Sequence, residues 1–244
     1  EKALSYRLNL EKYENDKGST ISGYERHKSH ILFSWVNDIV NNKKILDSVE
    51  DILGPNILCW SSNFFIKEAT KNSFVSWHQD SGYWGLEPDD VITAWIALSD
   101  ATIKTGPMEV IPESHKWNNI EHKETFNKNN LLSRGQELNI NASEHNTVAM
   151  PLQAGEISLH HVKLAHSSKI NTTNDRRIGI AIRYTTPEVR QTKAIKNKDS
   201  ALLVRGEDRY MNFTHETPPK FNLDEEAIEN HKIISKAHHE ILMK

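Results

Sequence analysis

Beyond Pro55 the sequence breaks into short β-rich runs. They are Ile57-Leu58-Cys59-Trp60, Asn63-Phe64-Phe65-Ile66, Val91 through Leu98, Met108 through Ile111, Thr147 through Met150, Glu156 through Leu159 and Ile178 through Tyr184. Gly, Pro, Asn and Asp clusters separate many of them. No other feature narrows the fold so far. Several short strands joined by irregular loops bury their apolar faces best as two packed sheets, so the expectation is a mainly β sandwich or jelly roll with flanking α-helices. Before Pro55, Ile31, Leu32, Trp35, Val36, Ile39, Val40, Ile45, Leu46, Val49 and Ile52-Leu53 recur at helical spacing until Gly54-Pro55. That pattern predicts two helices broken near Asn41-Asn42. Residues 1–22 are polar and read as a loosely held opening segment. Residues 116–146, with Asn127-Lys128-Asn129-Asn130 and few apolar positions, read as a long lid-like excursion. From Leu223 the pattern of Ile228, Ile233-Ile234 and Ile241-Leu242-Met243 predicts a tail helix packed outside the sheet. The expected organisation is one domain over 1–244: helices in 1–55, a β core in 56–213 and a tail in 214–244.

Composition removes several classes of function. At 244 residues, 37% hydrophobic and 26% charged, the chain is apolar enough to bury a core. Lys and Arg total 30 against 33 Asp and Glu, so there is no global basic field for nucleic acid or an anionic membrane. A single cysteine, Cys59, excludes disulfide frameworks and multi-thiolate zinc sites. No run approaches the roughly 18 apolar residues of a membrane span. Glu1 rather than Met opens the chain and no signal peptide is visible, so the expectation is a trimmed, cytoplasmic protein acting on a small molecule. Nothing in the sequence specifies an oligomeric state.

The strongest chemical signal is Trp77-His78-Gln79-Asp80. In an extended strand, side chains two apart point the same way, so His78 and Asp80 can offer an imidazole nitrogen and a carboxylate oxygen to one divalent ion. His115, His122, His145, His160, His161, His166 and His215 are the downstream candidates for a third ligand. Of these, His166 follows a β-rich run, and Arg177 comes eleven residues after it at the start of another strand. Two histidines and a carboxylate leave open positions on an octahedral ion, which suits non-haem Fe(II) oxygen chemistry. A 2-oxo diacid chelating such an ion needs a cationic fork for its far carboxylate, and arginine supplies one. A nearby hydroxyl, Ser168, adds a donor. A lone H-x-D is common by chance; its conjunction with a later histidine and an arginine at plus eleven is far more specific.

These residues carry a resemblance. With Tyr83-Trp84-Gly85-Leu86, Thr93 through Leu98, Gly106-Pro107-Met108, Ile111 through Lys116, and Gly155 through Ser168 with Asn171 and Arg177, the chain resembles the phytanoyl-CoA dioxygenase family of Fe(II)/2-oxoglutarate oxygenases from about Asn56 to about Phe213. The resemblance implies a double-stranded β-helix (a cupin-like jelly roll) with the N-terminal helices buttressing one sheet. It implies Fe(II) on His78, Asp80 and His166, with 2-oxoglutarate and O2 as cosubstrates. Arg177 would clamp 2-oxoglutarate with Ser168 beside it, while Gln79 and Trp95 line the same pocket. Asp80 stands where related halogenases carry a small residue, which points to hydroxylation.

Within the family the chain is most similar to bacterial small-molecule hydroxylases, including those acting on aminoethylphosphonates, through the runs Asn130 through Glu137, Ser158 through His161, Arg183-Tyr184 and Asp199 through Gly206. The expected substrate is small, polar and anionic, with an ammonium as a further feature. Its candidate contacts are His161 (preferred over His160 by resemblance), Tyr83 with Trp84, Asn63, Lys67, Arg183 and Arg134. Arg176 is left to the opposite strand face. His27, His30, His231, His238 and His239 read as surface helix positions. Hydroxylation of an amino acid or acyl thioester, a non-catalytic metal-binding jelly roll, and a zinc hydrolase are the alternatives. The last gives Arg177 no task.

Overall fold

A computed structural model of the chain describes residues 1–69, 71–193, 196 and 198–243. In chain order its helices and strands are α1 (Lys2–Lys17), α2 (Ser34–Val40), α3 (Lys43–Leu53), β1 (Ile57–Lys67), β2 (Val75–His78), α4 (Ser81–Trp84), β3 (Leu86–Glu87), β4 (Val91–Ala97), β5 (Met108–Val110), β6 (His122–Glu124), β7 (Gln136–Leu138), β8 (Val148–Met150), β9 (Ile157–His161), β10 (His166–Ser168), β11 (Arg177–Thr185), β12 (Arg190–Gln191), β13 (Ser200–Arg205), β14 (Thr214–His215) and α5 (Glu225–Leu242). A six-stranded sheet runs β14-β13-β1-β11-β4-β9, and a four-stranded sheet runs β2-β10-β5-β8. The expected mainly β jelly roll with flanking helices is what the chain forms.

Strand alternation decides what each sheet face meets. On β11, Ile178, Ile180, Ile182 and Tyr184 point outward into one apolar cluster with Ala94 and Ile96 of β4 and with Trp35, Val36, Ile39, Ile45, Leu46 and Val49 of α2 and α3. Each such aliphatic burial contributes roughly 1.5–3 kcal/mol. The Tyr184 hydroxyl donates to the Val40 carbonyl at 2.8 Å, pinning α2 to the sheet. The opposite face of β11 carries Arg177, Gly179, Ala181 and Arg183 toward the interior. β1 serves both sides because its register against β11 shifts between Cys59 and Ser61. That bulge flips the face on which alternate residues point. Ile57 and Cys59 join the helix-side cluster before it, and Phe64 after it, which leaves Asn63, Phe65 and Lys67 inward.

The predicted break near Asn41-Asn42 is present. Asn42 caps α3, its side chain accepting from the Lys44 amide at 3.0 Å. Residues 1–22 differ from expectation, because most of them form α1. This helix is polar, with Leu4 and Leu8 exposed and Leu10 buried. Ion pairs hold it instead: Arg7 to Asp175 at 2.7 Å and Arg176 to Glu14 at 2.6 Å. The excursion over 116–146 contains the β6–β7 hairpin, with Lys123 opposite Glu137.

The tail helix α5 is capped by Asp224, which accepts from the Ala227 amide at 2.8 Å. Its buried stripe keeps Ile241 and Leu242 as expected but also turns His231, Ser235 and His238 inward, while Ile233 is exposed. His30, His231 and His238 are therefore core residues rather than surface ones; His239 is exposed and His27 half-buried. Each of the buried three has a polar partner, which is what allows it inside. His231 donates to the His27 carbonyl at 2.8 Å, His238 Nε2 lies 3.3 Å from Ser61 Oγ, and His30 bridges Ser62 Oγ and Glu216. Glu216 also takes Lys28 Nζ at 2.6 Å, all three groups being buried. No helix among the described residues is long and apolar enough to cross a membrane.

Candidate active site

The small sheet brings the H-x-D pair to its third partner. His78 ends β2, His166 begins β10, and the two residues are direct cross-strand neighbours. Asp80 lies two residues past His78. One donor atom from each of His78, Asp80 and His166 lies within 4.8 Å of the others, and all three residues are buried. The His78 and His166 ring centroids are 4.0 Å apart, and His78 Nε2 is 3.4 Å from Asp80 Oδ1.

The hydrogen bonds around these rings set their tautomers. His78 Nδ1 lies 2.9 Å from the Ser76 carbonyl, and His166 Nδ1 lies 2.9 Å from the Leu164 carbonyl. A carbonyl only accepts, so both Nδ1 atoms carry the proton and both Nε2 lone pairs are available at the centre. Burial, and then the neighbouring His78 ring, drives the His166 imidazolium well below its ordinary range, so the ring is neutral. Burial opposes a charge on Asp80, while the nearby Arg183 guanidinium favours it. The Tyr83 hydroxyl donates to Asp80 Oδ1 at 3.0 Å and orients it. Two imidazole nitrogens and an oriented carboxylate fit a divalent transition metal with open coordination positions.

A narrow cavity between the sheets begins at this cluster. Thr93, Trp95 and Arg177 from the large sheet and Met108, His166 and Ser168 from the small one line it. Arg177 is buried, donates to the Gly106 carbonyl at 2.9 Å and to Ser168 Oγ at 3.2 Å, and faces no carboxylate among the described residues. Burial lowers its pKa to about 10. The Trp95 ring lies against the guanidinium, centroid to Cζ 5.1 Å. Gly179 makes that placement possible: a Cβ there would sit 2.0 Å from Trp95 Cζ2. Gly106, at φ +68, presents the carbonyl that Arg177 and Ser168 share. A buried cation whose partners are carbonyls and a hydroxyl has room for an anion. Arg177, Ser168 and Trp95 thus come together as expected.

Several expected contacts are placed elsewhere. Gln79 lies between two inward residues and points outward, accepting from the Ile120 amide and donating to the Lys163 carbonyl, each at 2.9 Å. His161 shares strand parity with Ile157 and Leu159, which pack against the helix-side cluster; it faces His115 at 6.1 Å. His160 is the inward one, opposite Thr93, with its ring centroid 4.8 Å from that of His166. Burial lowers its pKa to about 4. Arg134 pairs with Glu124 at 2.7 Å and lines neither cavity. Lys67 is buried behind Arg177, donating to Ser168 Oγ and to the carbonyls of Lys169 and Gly106, and burial with the Arg177 charge lowers its pKa to about 6. Arg176, on the other strand face, pairs with Glu14 and Glu68.

A second cavity of about 480 Å³ opens from the cluster, meeting the first at Phe65, Asp80 and Arg183. Asn63, Tyr83 and Trp84 line it as expected. Arg26, His27, Lys128 and the α5 residues His238 and His239 also line it, and none of these was singled out as a site residue from the sequence. Strand alternation would have selected His160, whereas no local pattern marks Arg26.

The family model for phytanoyl-CoA dioxygenase (PhyH) matches residues 10–179. The chain is 29% identical over 180 residues to a probable alpha-ketoglutarate-dependent hypophosphite dioxygenase of Stutzerimonas stutzeri, covering 72% of this chain and 62% of that protein. It is 26% identical to the human peroxisomal phytanoyl-CoA dioxygenase, covering 69% of this chain and 54% of that one. The chain thus spans less than two thirds of the length of these curated relatives. Among solved structures, the apo non-heme monooxygenase ThoJ superposes with a TM-score of 0.84 at 32% identity, covering 98% of this chain and 88% of that one. CytC3 with Fe(II) and alpha-ketoglutarate shares the fold, with a TM-score of 0.57 at 20% identity.

Proposed function

The chain belongs to the phytanoyl-CoA dioxygenase family of Fe(II)/2-oxoglutarate-dependent oxygenases, and from that premise we propose that it hydroxylates an unactivated C–H of a small polar substrate, acting as one oxygenase domain. The observation that carries this reading is the pairing of the buried His78–Asp80–His166 cluster, both Nε2 atoms turned to the centre, with Arg177, which meets no carboxylate among the described residues, in the same narrow cavity. His78, Asp80 and His166 would hold Fe(II), and Arg177 would hold the far carboxylate of 2-oxoglutarate. Bound iron with 2-oxoglutarate and O2 supplies the oxidation that a C–H bond needs and that no side chain can provide.

The chain's own residues do the rest. Ser76 and Leu164 carbonyls keep the imidazole tautomers, and Tyr83 keeps Asp80 in place. Trp95 and Phe65 wall off water, and Ser168 shares the Arg177 fork. The larger cavity then receives the substrate beside Asp80 and Arg183.

The finer reading is a phosphorus oxyanion of the aminoethylphosphonate kind. Arg183 in the cavity wall supports the anionic end, and the relative named for hypophosphite points to the same chemistry. A cavity of about 480 Å³ is far larger than so small an anion needs. The ammonium end has less support, because the Trp84 face already carries Arg183 at 5.2 Å.

The test is succinate release with Fe(II), ascorbate and 2-oxoglutarate, screened over aminophosphonates, amino acids, small ammonium compounds and acyl thioesters, alongside bound-iron content. Substrate-dependent succinate together with a hydroxylated product is expected. Iron binding without succinate for any compound would favour a non-catalytic binding protein, and stimulation by long acyl thioesters alone would remove the small-substrate reading.

A further inference from the structure

The arginines of this chain sort by partner. Arg7, Arg134, Arg176, Arg205 and Arg209 each sit on at least one carboxylate. Arg26 and Arg183 do not, among the described residues, and both line the large cavity. Arg26 donates to the Leu131 carbonyl at 3.2 Å, Arg183 donates to the Ala181 carbonyl at 3.2 Å, and each keeps a buried Nε with no partner. The Arg183 guanidinium lies over the Phe65 ring at 5.5 Å and over the Trp84 ring at 5.2 Å. Stacking on a ring uses a guanidinium face and leaves its N–H edge for hydrogen bonding. Of the residues lining the cavity, Asp80 alone is a carboxylate, and it accepts from Tyr83 and belongs to the His78–Asp80–His166 cluster. Lys128 adds a further positive charge to the wall.

We propose that Arg26 and Arg183 together form a receptor for a tetrahedral oxyanion, a phosphonate or phosphate-monoester group, on the molecule that the large cavity takes in. Two guanidiniums sharing one cavity whose lining offers a single carboxylate, Asp80, repel one another, and burial together with the Arg183 charge lowers the Arg26 pKa. A bound anion removes that penalty. A carboxylate has two oxygens and fills one guanidinium fork; a phosphonate has three oxygens and up to two charges, enough for two forks. Arg183 also borders the narrow cavity, so an anion on it stands beside the His78–Asp80–His166 cluster. That the receptor holds the oxygenase substrate rests on the function proposed above; that it binds the anion does not.

The experiment reads binding to the metal-free protein. Trp60 and Trp84 line the cavity, so their fluorescence is titrated with ethylphosphonate, propionate and ethylammonium. Ethylphosphonate should bind saturably, at least tenfold more tightly than propionate, and weaken as salt is raised; ethylammonium should not bind. Arg26→Gln and Arg183→Gln should each lose tenfold or more, and Arg26→Lys should retain part of the affinity. The surface variant Arg209→Gln should leave it unchanged. Circular dichroism identifies the variants that fold, and the wild-type preference for phosphonate over propionate stands as a test without them. Equal binding of the two anions, or unchanged affinity in folded Arg26→Gln and Arg183→Gln, overturns the receptor. Tight ethylphosphonate binding with no succinate from any compound leaves the receptor standing and removes the oxygenase assignment. Succinate released with uncharged substrates, together with no ethylphosphonate binding, does the reverse.

Discussion

Gly179→Ala tests the geometry that holds the two sheets' chemistry together. An alanine Cβ at 179 would lie 2.0 Å from Trp95 Cζ2, 2.5 Å from Cε2 and 2.7 Å from Cη2. Carbon atoms in contact prefer about 3.5 Å, so a gap of about 1.5 Å must open. β11 cannot supply it, because it lies between β1 and β4 and its opposite face is packed with Ile178, Ile180 and Ile182. The indole must therefore retreat from Arg177, which it contacts at 5.1 Å. Overpacking of this kind costs about 1–3 kcal/mol, and the lost cation–π contact about 0.5–2 kcal/mol. In a chain of this size each kcal/mol lowers Tm by roughly 2–4 °C, so calorimetry should register a fall of about 5–15 °C. If about 1 kcal/mol of the disturbance reaches the anion held by Arg177, the apparent KM for 2-oxoglutarate rises about fivefold. The assay pairs a thermal melt with succinate release against 2-oxoglutarate concentration. A Tm within a degree of wild type and an unchanged KM would refute the claim that the Trp95 ring occupies the space over residue 179.

Three further outcomes follow from the same contacts. Arg177→Lys keeps the charge but loses the fork shared with Ser168 and Gly106, so the apparent KM for 2-oxoglutarate should rise about tenfold or more, with kcat at saturation less affected; an unchanged KM would move the clamp to another residue. Tyr83→Phe removes the hydroxyl on Asp80 Oδ1 and should weaken Fe(II) or Mn(II) binding about 10–100-fold in calorimetric titration while the fold melts normally. Glu216→Gln strands buried Lys28 and should cost about 3–5 kcal/mol in urea unfolding. Lys28 and His30 outweigh burial and hold the Glu216 carboxyl below its unfolded value. Its contribution is therefore present above the unfolded pKa near 4.5 and is lost as pH falls through the folded value. The variant's stability should show a shallower acid limb than wild type.

What was legible in the sequence was what strand period controls. His78 and Asp80 share a face because they are two apart, and Arg177 faces inward because Ile178, Ile180 and Ile182 claim the other side. The same rule would have chosen His160 over His161, since Ile157 and Leu159 fix the parity of β9; a preference by resemblance displaced it. Gln79 fell to that rule as well, standing between two inward residues. Helix α1 was missed because period detects apolar stripes, and this helix is held by Arg7–Asp175 and Arg176–Glu14, pairs far apart in sequence. The histidines of α5 were misjudged for a related reason: their partners at Ser61 and His27 come from distant segments.

The cluster His78, Asp80 and His166 with Arg177 stands at strand ends, where cross-strand hydrogen bonds fix backbone position. The large cavity is lined in part by β1 and by Arg183 of β11, but the rest of its wall comes from Gly23 to His27, from the stretch Lys128 to Ser133 and from His238, His239 and Leu242 of α5. None of these three segments lies in either sheet. Substitutions there can change which molecule enters without moving a donor atom of the cluster, and substitutions in β2, β10 or β11 cannot. Arg26 and Arg183 straddle the boundary, one on a connecting segment and one on β11. A receptor built across it binds the molecule to the frame that positions the cluster, so replacing Arg26 alone should loosen binding while leaving the strand-borne residues where they are.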